Sequence, residues 1–477
     1  MKLLRDLPFL VLALVMLAVP ARAAGQWKIL TEENPPFNGV RNGKPYGFAV
    51  DVVREILDRL GRSESVEVLP WARAYHFLET EPDVFLFSTM RTRQREDLFH
   101  WIGPLQVVEW GLYARKDNPE SVRSLEAARS VGRIGATRKT AEAQYLRSLQ
   151  FENIEISNSF EANLRKLLAG RVDLWVHFEP GLSELFEKVG AAADSVRREV
   201  LIGRRYLYIA ASDKTSATTV NRWRGAFQDM IEDGTFEKLR SRWFGPVPQL
   251  SLRLLTEGAP PSSYMLGDEV SGYSVTVVRE ILRRLQVGAE IEMSSWSRGY
   301  HRIKSSAQPM ALFAMSRIPQ REELFKWVGP LYFQNWAFYA RQDSDLEISS
   351  LDEAAAVPRI GTYREDAKEL YLRTHGFSNL VQSKDNVAAV RRLVAGQLDL
   401  WVASDFKVPC IVAQAGIDPQ DLKQVLNFKS VGDFIGFSLA TPDSVIRDWQ
   451  DVLDDMRQDG TLDFLLQRNR FGTFCDH

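Results

Sequence analysis

Two arginines and two tryptophans stand out because each pair recurs in the same order in the two halves of the chain. Trp71 and Arg95 answer to Trp296 and Arg321, and each arginine is followed by a W-x-G-P-L segment, Trp101–Leu105 and Trp327–Leu331. A guanidinium is a planar fork of donors that matches a carboxylate and stays charged at any ordinary pH. An indole beside it supplies flat apolar area at little entropic cost. Both types have a plainer reading as well. Arg91, Arg93 and Arg95 form a run that solvent alone would explain, and the tryptophans would serve equally as core aromatics. The second half keeps only Arg317 and Arg321 of that run, which favours recognition over solvation. Arg73, Tyr75 and His76 recur as Arg298, Tyr300 and His301, a pattern that fits either a helix start facing a cleft or a contact inside one lobe.

Other chemistries find little support. The six histidines are scattered without ligand spacing, so no metal or other cofactor is expected. No nucleophile, base and orienting group recur together in both halves. A net charge of −2 with 26% charged and 45% hydrophobic residues gives no sign of a nucleic-acid or membrane-surface partner.

These residues belong to a long internal repeat. "VVREIL" at Val52–Leu57 returns letter for letter at Val277–Leu282, a shift of 225. One inserted residue makes it 226, aligning "QREDLFHWIGPL" from Gln94 with "QREELFKWVGPL" from Gln320 and "AGRVDLWV" from Ala169 with "AGQLDLWV" from Ala395. Such a period exceeds any solenoid unit and marks a duplicated domain. The expected boundaries are a leader at 1–23, one domain at 25–246 and another at 248–475, with the prolines of "GPVPQL" discouraging regular structure at the junction.

The leader has a positive start at Lys2 and Arg5, an apolar stretch from Leu7 to Ala18, and small residues at Ala21 and Ala23. Cleavage after Ala23 and export to the periplasm as a soluble monomer are expected. Cys410 and Cys475, neither with a counterpart in the first half, would form a disulfide or remain a buried thiol and a frayed tail.

Within each repeat, strand and helix patterns alternate. "WKILTE", "SVEVLP", "VFLFST", "VVEWGLYARK", "IEISN", "VDLWVHF" and "RYLYIAAS" read as strands, whereas "FAVDVVREILDRLG", "KTAEAQYLRSL" and "FEANLRKLLAG" read as helices. The second repeat follows the same order, giving an α/β fold.

The ordered motifs, from "PPF" and "GFAVDVVREIL" through "R-x-R-x-R-E", "W-x-GPL" and "LLAG-x-VDLWV" to "DGTFEKL", resemble the extracellular solute-binding proteins of family 3, the polar amino-acid uptake type. The resemblance implies two tandem periplasmic-binding-protein-like domains, each of two α/β lobes joined by two crossing strands that act as a flytrap hinge. Crossings would lie near "VVEWGLYARK" and "RYLYIAAS", then "QNWAFYARQ" and "DFIGFSLAT", with second lobes at about 117–204 and 343–430. It further implies that Arg95 and Arg321 clamp a ligand carboxylate, that Trp71 and Trp296 stack on the ligand, and that Ser88, Thr137 and Ser316 hydrogen-bond to it. Arg73 and Arg298 join this candidate set through their retention in both copies.

Two departures qualify the resemblance. Where amino-acid binders of the family carry an aspartate for the ligand ammonium, this chain has Phe178 and Ser404, with Glu179 and Asp405 one residue later and so on the opposite strand face. Asp51 becomes Thr276, so the two sites are expected to differ in local charge. The implied function is capture of a small, polar, carboxylate-bearing solute for an ABC permease. The alternatives are a sensor or scavenger without a permease, or an enzyme resembling cyclohexadienyl dehydratases with Glu179 as general acid.

Overall fold

The computed structural model describes residues 26–119, 121–179, 182–192, 194–363 and 366–470. The leader and Cys475, and with it the expected pairing of Cys410, lie outside the described residues. The chain divides between Phe244 and Gly245 into two compact units.

In the first unit ten strands follow in order: β1 (Lys28–Thr31), β2 (Gly39–Arg41), β3 (Lys44–Tyr46), β4 (Val66–Val68), β5 (Val84–Met90), β6 (Phe99–Arg115), β7 (Ile134–Thr137), β8 (Ile154–Ser157), β9 (Leu174–Glu179) and β10 (Val196–Ser212). Eight form one sheet in the order β4-β1-β5-β10-β6-β9-β7-β8, and β2 and β3 make a separate hairpin. The first lobe takes β4, β1 and β5, which are parallel, and the second takes β9, β7 and β8. Between them run β6 and β10, antiparallel partners of 17 residues each that pass through both lobes. The first lobe is therefore built from two separate stretches of chain, as the resemblance implies. The crossings are longer than expected, because "FHWIGPLQ" before Val107 and "VRREVLIGR" before Arg205 are also extended.

The second unit repeats this plan with β11 (Arg253–Glu257), β12 (Tyr264–Leu266), β13 (Glu269–Ser271), β14 (Ile291–Ser294), β15 (Met310–Ser316), β16 (Lys326–Arg341), β17 (Ile360–Tyr363), β18 (Leu380–Ser383), β19 (Leu400–Ser404) and β20 (Leu422–Phe437). Its sheet order, β14-β11-β15-β20-β16-β19-β17-β18, is that of the first displaced by ten.

The verbatim "VVREIL" repeat is explained by packing. Val52, Val53, Ile56 and Leu57 lie on the buried face of the helix Phe48–Arg59, and Val277, Val278, Ile281 and Leu282 do the same on Tyr273–Leu285. Each such side chain contributes about 1.5–3 kcal/mol on burial, so either helix resists drift there. Both helices start at a glycine, Gly47 with φ 128° and Gly272 with φ 118°. A Cβ there would meet the Phe37 carbonyl oxygen at 2.3 Å or that of Ser262 at 2.5 Å, so no larger residue fits the entry turn.

Candidate functional site

The helix Trp71–Thr80 places Trp71 at its first turn, and the short helical turn Arg93–Leu98 places Arg95 against it; Trp296–Lys304 and Pro319–Leu324 do the same in the second unit. Both arginines are 1% exposed. Arg95 Nη1 donates to the Met90 carbonyl at 3.1 Å and Arg321 Nη1 to the Ser316 carbonyl at 3.2 Å, so the same strand end fixes both guanidinium groups. Arg95 lies 5.0 Å from the Tyr75 ring and 5.5 Å from that of Trp71, while Arg321 lies 4.7 Å from Trp296 and 5.3 Å from Tyr300. At those distances cation–π attraction helps to hold the planes. Tyr75 and Tyr300, retained in both copies, thus belong to the arginine's immediate setting.

In the second unit this corner opens on a cavity of about 860 Å³ between the lobes. Its first-lobe wall includes Glu257, Trp296, Ser316 and Arg321; its second-lobe wall includes Tyr363, Asp366, Lys368, Ser404 and Lys407. The floor is a hydrogen-bonded polar network. Asp433, fully buried on β20, accepts from Ser316 Oγ at 2.6 Å, Gln334 Nε2 at 2.6 Å and the Tyr332 hydroxyl at 2.7 Å. Ser404 completes it by donating to Gln334 Oε1. Lys368 and Asp366 pair at 2.9 Å.

Burial sets the electrostatics of this cleft. It pulls the Arg321 guanidinium down from its ordinary value, opposed by Tyr300, Asp366, Tyr363 and Glu257. It raises Glu257 above the usual carboxylate range, with Lys407 pulling the other way. Tyr363 is pushed well above its ordinary value by burial and then by the charges of Glu257 and Asp366. The cleft therefore presents Arg321 from one lobe and Lys368 and Lys407 from the other, beside a Glu257 whose burial disfavours its charged form.

The first unit is built differently at the same positions. Met90, Val108, Phe178 and Leu207 stand where the second unit has Ser316, Gln334, Ser404 and Asp433, and all four belong to one hydrophobic cluster. Phe178 packs edge-on against Phe160, with ring centroids 5.9 Å apart. Arg95 donates through Nε to Gln144 Oε1 at 3.0 Å and through Nη2 to the Lys139 carbonyl at 2.8 Å, both acceptors lying in the second lobe. Trp71 Nε1 donates to that same carbonyl at 2.9 Å. Glu32 and Glu142, buried beside Arg95 from opposite lobes, are both raised, chiefly by burial.

Several residues expected at the sites lie elsewhere. Arg73 and Arg298 are exposed, and Arg298 is outside the cavity lining; their side chains sit on the solvent face of the helices that carry Trp71 and Trp296. Ser88 is buried and donates to Asn38 Oδ1, and Thr137 accepts from Asn163 Nδ2 at 3.0 Å, so both hydroxyls are held within the protein. Asp51 does not set site charge: its Oδ2 accepts from Arg242 at 2.6 Å and Trp243 at 2.8 Å on the closing helix, and Thr276 bonds to the carbonyl of Gly272 in its own helix. Asp405 is taken by the backbone and side-chain nitrogens of Asn335, and Glu179 accepts from the Tyr113 hydroxyl at 3.0 Å. Sequence reasoning passed over Glu257, Lys368, Lys407, Gln334 and Asp433. Glu257 carried a signal, since Thr-Glu recurs at 31–32 and 256–257; the others differ between the copies and gave none.

Two lobes hinged on paired crossing strands around a polar cleft make the architecture of a solute-binding protein. The chain belongs to the bacterial extracellular solute-binding proteins, family 3, whose pattern matches residues 28–246 and again 252–473. No curated protein matches the chain. Among solved structures it is similar to the B. pertussis BvgS periplasmic domain over 94% of this chain and 90% of that one, at 15% identity and a TM-score of 0.39. It is also similar to an ancestral arginine-binding protein bound to arginine, over 46% of this chain and 99% of that one, at 22% identity and a TM-score of 0.41. A histidine kinase sensor domain with similarity to periplasmic binding proteins matches over 46% of this chain and 97% of its own, at 19% identity and a TM-score of 0.42. Among the described residues no helix is long and apolar enough to cross a membrane, and no group of three or more His, Cys, Asp or Glu is placed to hold a metal ion.

Proposed function

We propose that this protein captures a small, polar, carboxylate-bearing solute outside the cytoplasm in the cleft of its second unit and presents the closed form to a membrane partner, a permease or a sensor. The observation that carries the reading is the cavity of about 860 Å³ bordered by Arg321 and Trp296 in one lobe and by Lys368 and Lys407 in the other. A carboxylate reaching Arg321 replaces lost water with charge-assisted hydrogen bonds. A ligand touching both walls is better bound in the closed state than in the open one, and that difference drives the hinge.

The test is a thermal-shift screen of the mature chain against small carboxylates, amino acids and their deaminated analogues, followed by calorimetry. A true ligand at about 100 times its dissociation constant stabilises the unit that holds it by roughly 2.7 kcal/mol. If every carboxylate leaves the unfolding profile unchanged while an uncharged or cationic solute shifts it, the anion-capture reading fails.

A further inference from the structure

The first unit holds the arginine and tryptophan expected to meet a ligand, yet gives both to its own second lobe. Arg95 Nε and Nη2 point at two oxygens, Gln144 Oε1 at 3.0 Å and the Lys139 carbonyl at 2.8 Å. A guanidinium offers the same two donors in parallel to the two oxygens of a carboxylate. Trp71 adds a second donor to the Lys139 carbonyl. Lys139 presents that carbonyl from a left-handed turn at φ 60°, a conformation that is strained for a non-glycine residue and persists only where surrounding contacts hold it.

We infer that the first unit carries a built-in substitute for the ligand carboxylate, made of the Gln144 carboxamide and the Lys139 carbonyl. It keeps that unit closed when empty and confines solute exchange to the second unit. Three independent differences between the copies point the same way. The acceptor Gln144 is replaced in the second unit by Leu370, which has no oxygen to offer. The floor is apolar in the first unit, where Met90, Phe178 and their neighbours join one core, and polar in the second. At the rim, Glu33 meets Lys188 at 2.9 Å and Tyr46 donates to Glu184 at 2.9 Å across the lobes, whereas the matching positions are Gly258 with Gln414 and Ser271 with Cys410. Exposed ion pairs add little energy, so the closure rests on the buried hydrogen bonds and the filled floor.

The test reads hydrogen exchange in the first unit of the intact chain and so stands apart from the binding screen. Backbone hydrogen exchange is followed over residues 138–145, with 360–363 and 366–372 in the second unit as a folding control. In the parent protein the first stretch should be protected and unmoved by acetate. Without acetate, Gln144→Ala should raise its exchange by about tenfold or more and leave the second unit unchanged; acetate should then restore protection over 138–145 by taking the vacated place at Arg95. Trp71→Phe, which keeps the ring and deletes the Nε1 donor, should raise exchange over the same stretch and covers the case of a poorly folded alanine variant. Parent-like exchange in both variants overturns the inference, as does a parent protein that acetate protects further, or a Gln144→Ala protein that acetate leaves unprotected.

Discussion

Trp71 and Arg95 donate to one and the same oxygen, the carbonyl of Lys139, at 2.9 and 2.8 Å. Side chains from the first lobe thus hold backbone of the second. Each supplies one donor to an acceptor with two lone pairs, so neither competes with the other.

In the second unit the same arginine faces a cavity, and Arg321→Ala should weaken solute binding by about 2–5 kcal/mol, because a buried carboxylate loses its charged partner. Arg321→Lys keeps the charge without the fork and should fall between parent and alanine. Titration calorimetry on the intact chain with the solute found by screening measures both.

The polar floor yields opposite results for single and combined substitutions. Asp433→Leu alone removes the shared acceptor of Ser316, Tyr332 and Gln334; Tyr332 keeps Ser262 Oγ at 3.1 Å and Gln334 keeps Ser316 Oγ at 3.2 Å, so the orphaned Ser316 hydroxyl sets a cost of about 1–3 kcal/mol. Combining it with Ser316→Met, Gln334→Val and Ser404→Phe copies the apolar floor of the first unit. That set should regain much of the lost stability while abolishing solute binding. Urea unfolding and calorimetry on the two variants separate the effects.

An ion network, buried in the second unit and half-exposed in the first, ties the first helix of each unit to its last. Arg284, whose side chain is fully buried, reaches Glu280 at 2.7 Å and Asp459 at 2.8 Å; Arg59 meets Glu55 and Asp233, both at 2.8 Å, but is 22% exposed. Arg284→Ala should cost about 3–5 kcal/mol, since it strands the buried Asp459 carboxylate and leaves Glu280 to Arg283 alone. Arg59→Ala should cost about 1 kcal/mol or less, because water screens that network. Denaturant midpoints of the two variants provide the comparison.

Glu142 predicts a pH dependence in the first unit. Burial raises its pKa from the ordinary 4.5, so the folded state holds its proton more tightly than the unfolded chain does. The stabilisation is then complete below that value and is lost as pH rises through the folded pKa. The facing groups are Arg95, which lowers the pKa, and Glu32, which titrates in the same direction. Glu142→Gln should therefore stabilise the chain relative to the parent at about pH 8 and not at about pH 4, as read by calorimetric unfolding.

What could be read in the sequence followed from which residues the two copies share. "VVREIL", the glycines before it and the W-x-G-P-L segments recur because core packing and tight turns restrict them in both units, and they fix the fold. The arginines and tryptophans recur for a similar reason, since each unit needs them at the lobe junction. The asymmetry of the sites was hidden in the residues that differ. Gln334 and Lys407 match Val108 and Gly181, and nothing in that pairing says that both line one cleft. Asp51 misled for the converse reason: its replacement by Thr276 looks like a change of site charge, but the side chain turns toward Arg242 and Trp243 on a helix nearly two hundred positions away.

The long crossing strands also make each second lobe a detachable cassette. The chain leaves the hinge at Lys116 and returns at Ser195, whose carbonyl accepts from the Lys116 amide at 2.9 Å; the matching bond, Gln342 to Asp421, is 2.7 Å. Because entry and exit are neighbours in the ladder, the segment between them can be exchanged without rethreading the first lobe. Moving 343–420 into the first unit would bring Lys368, Ser404 and Lys407 there together, with Leu370 in the place of Gln144.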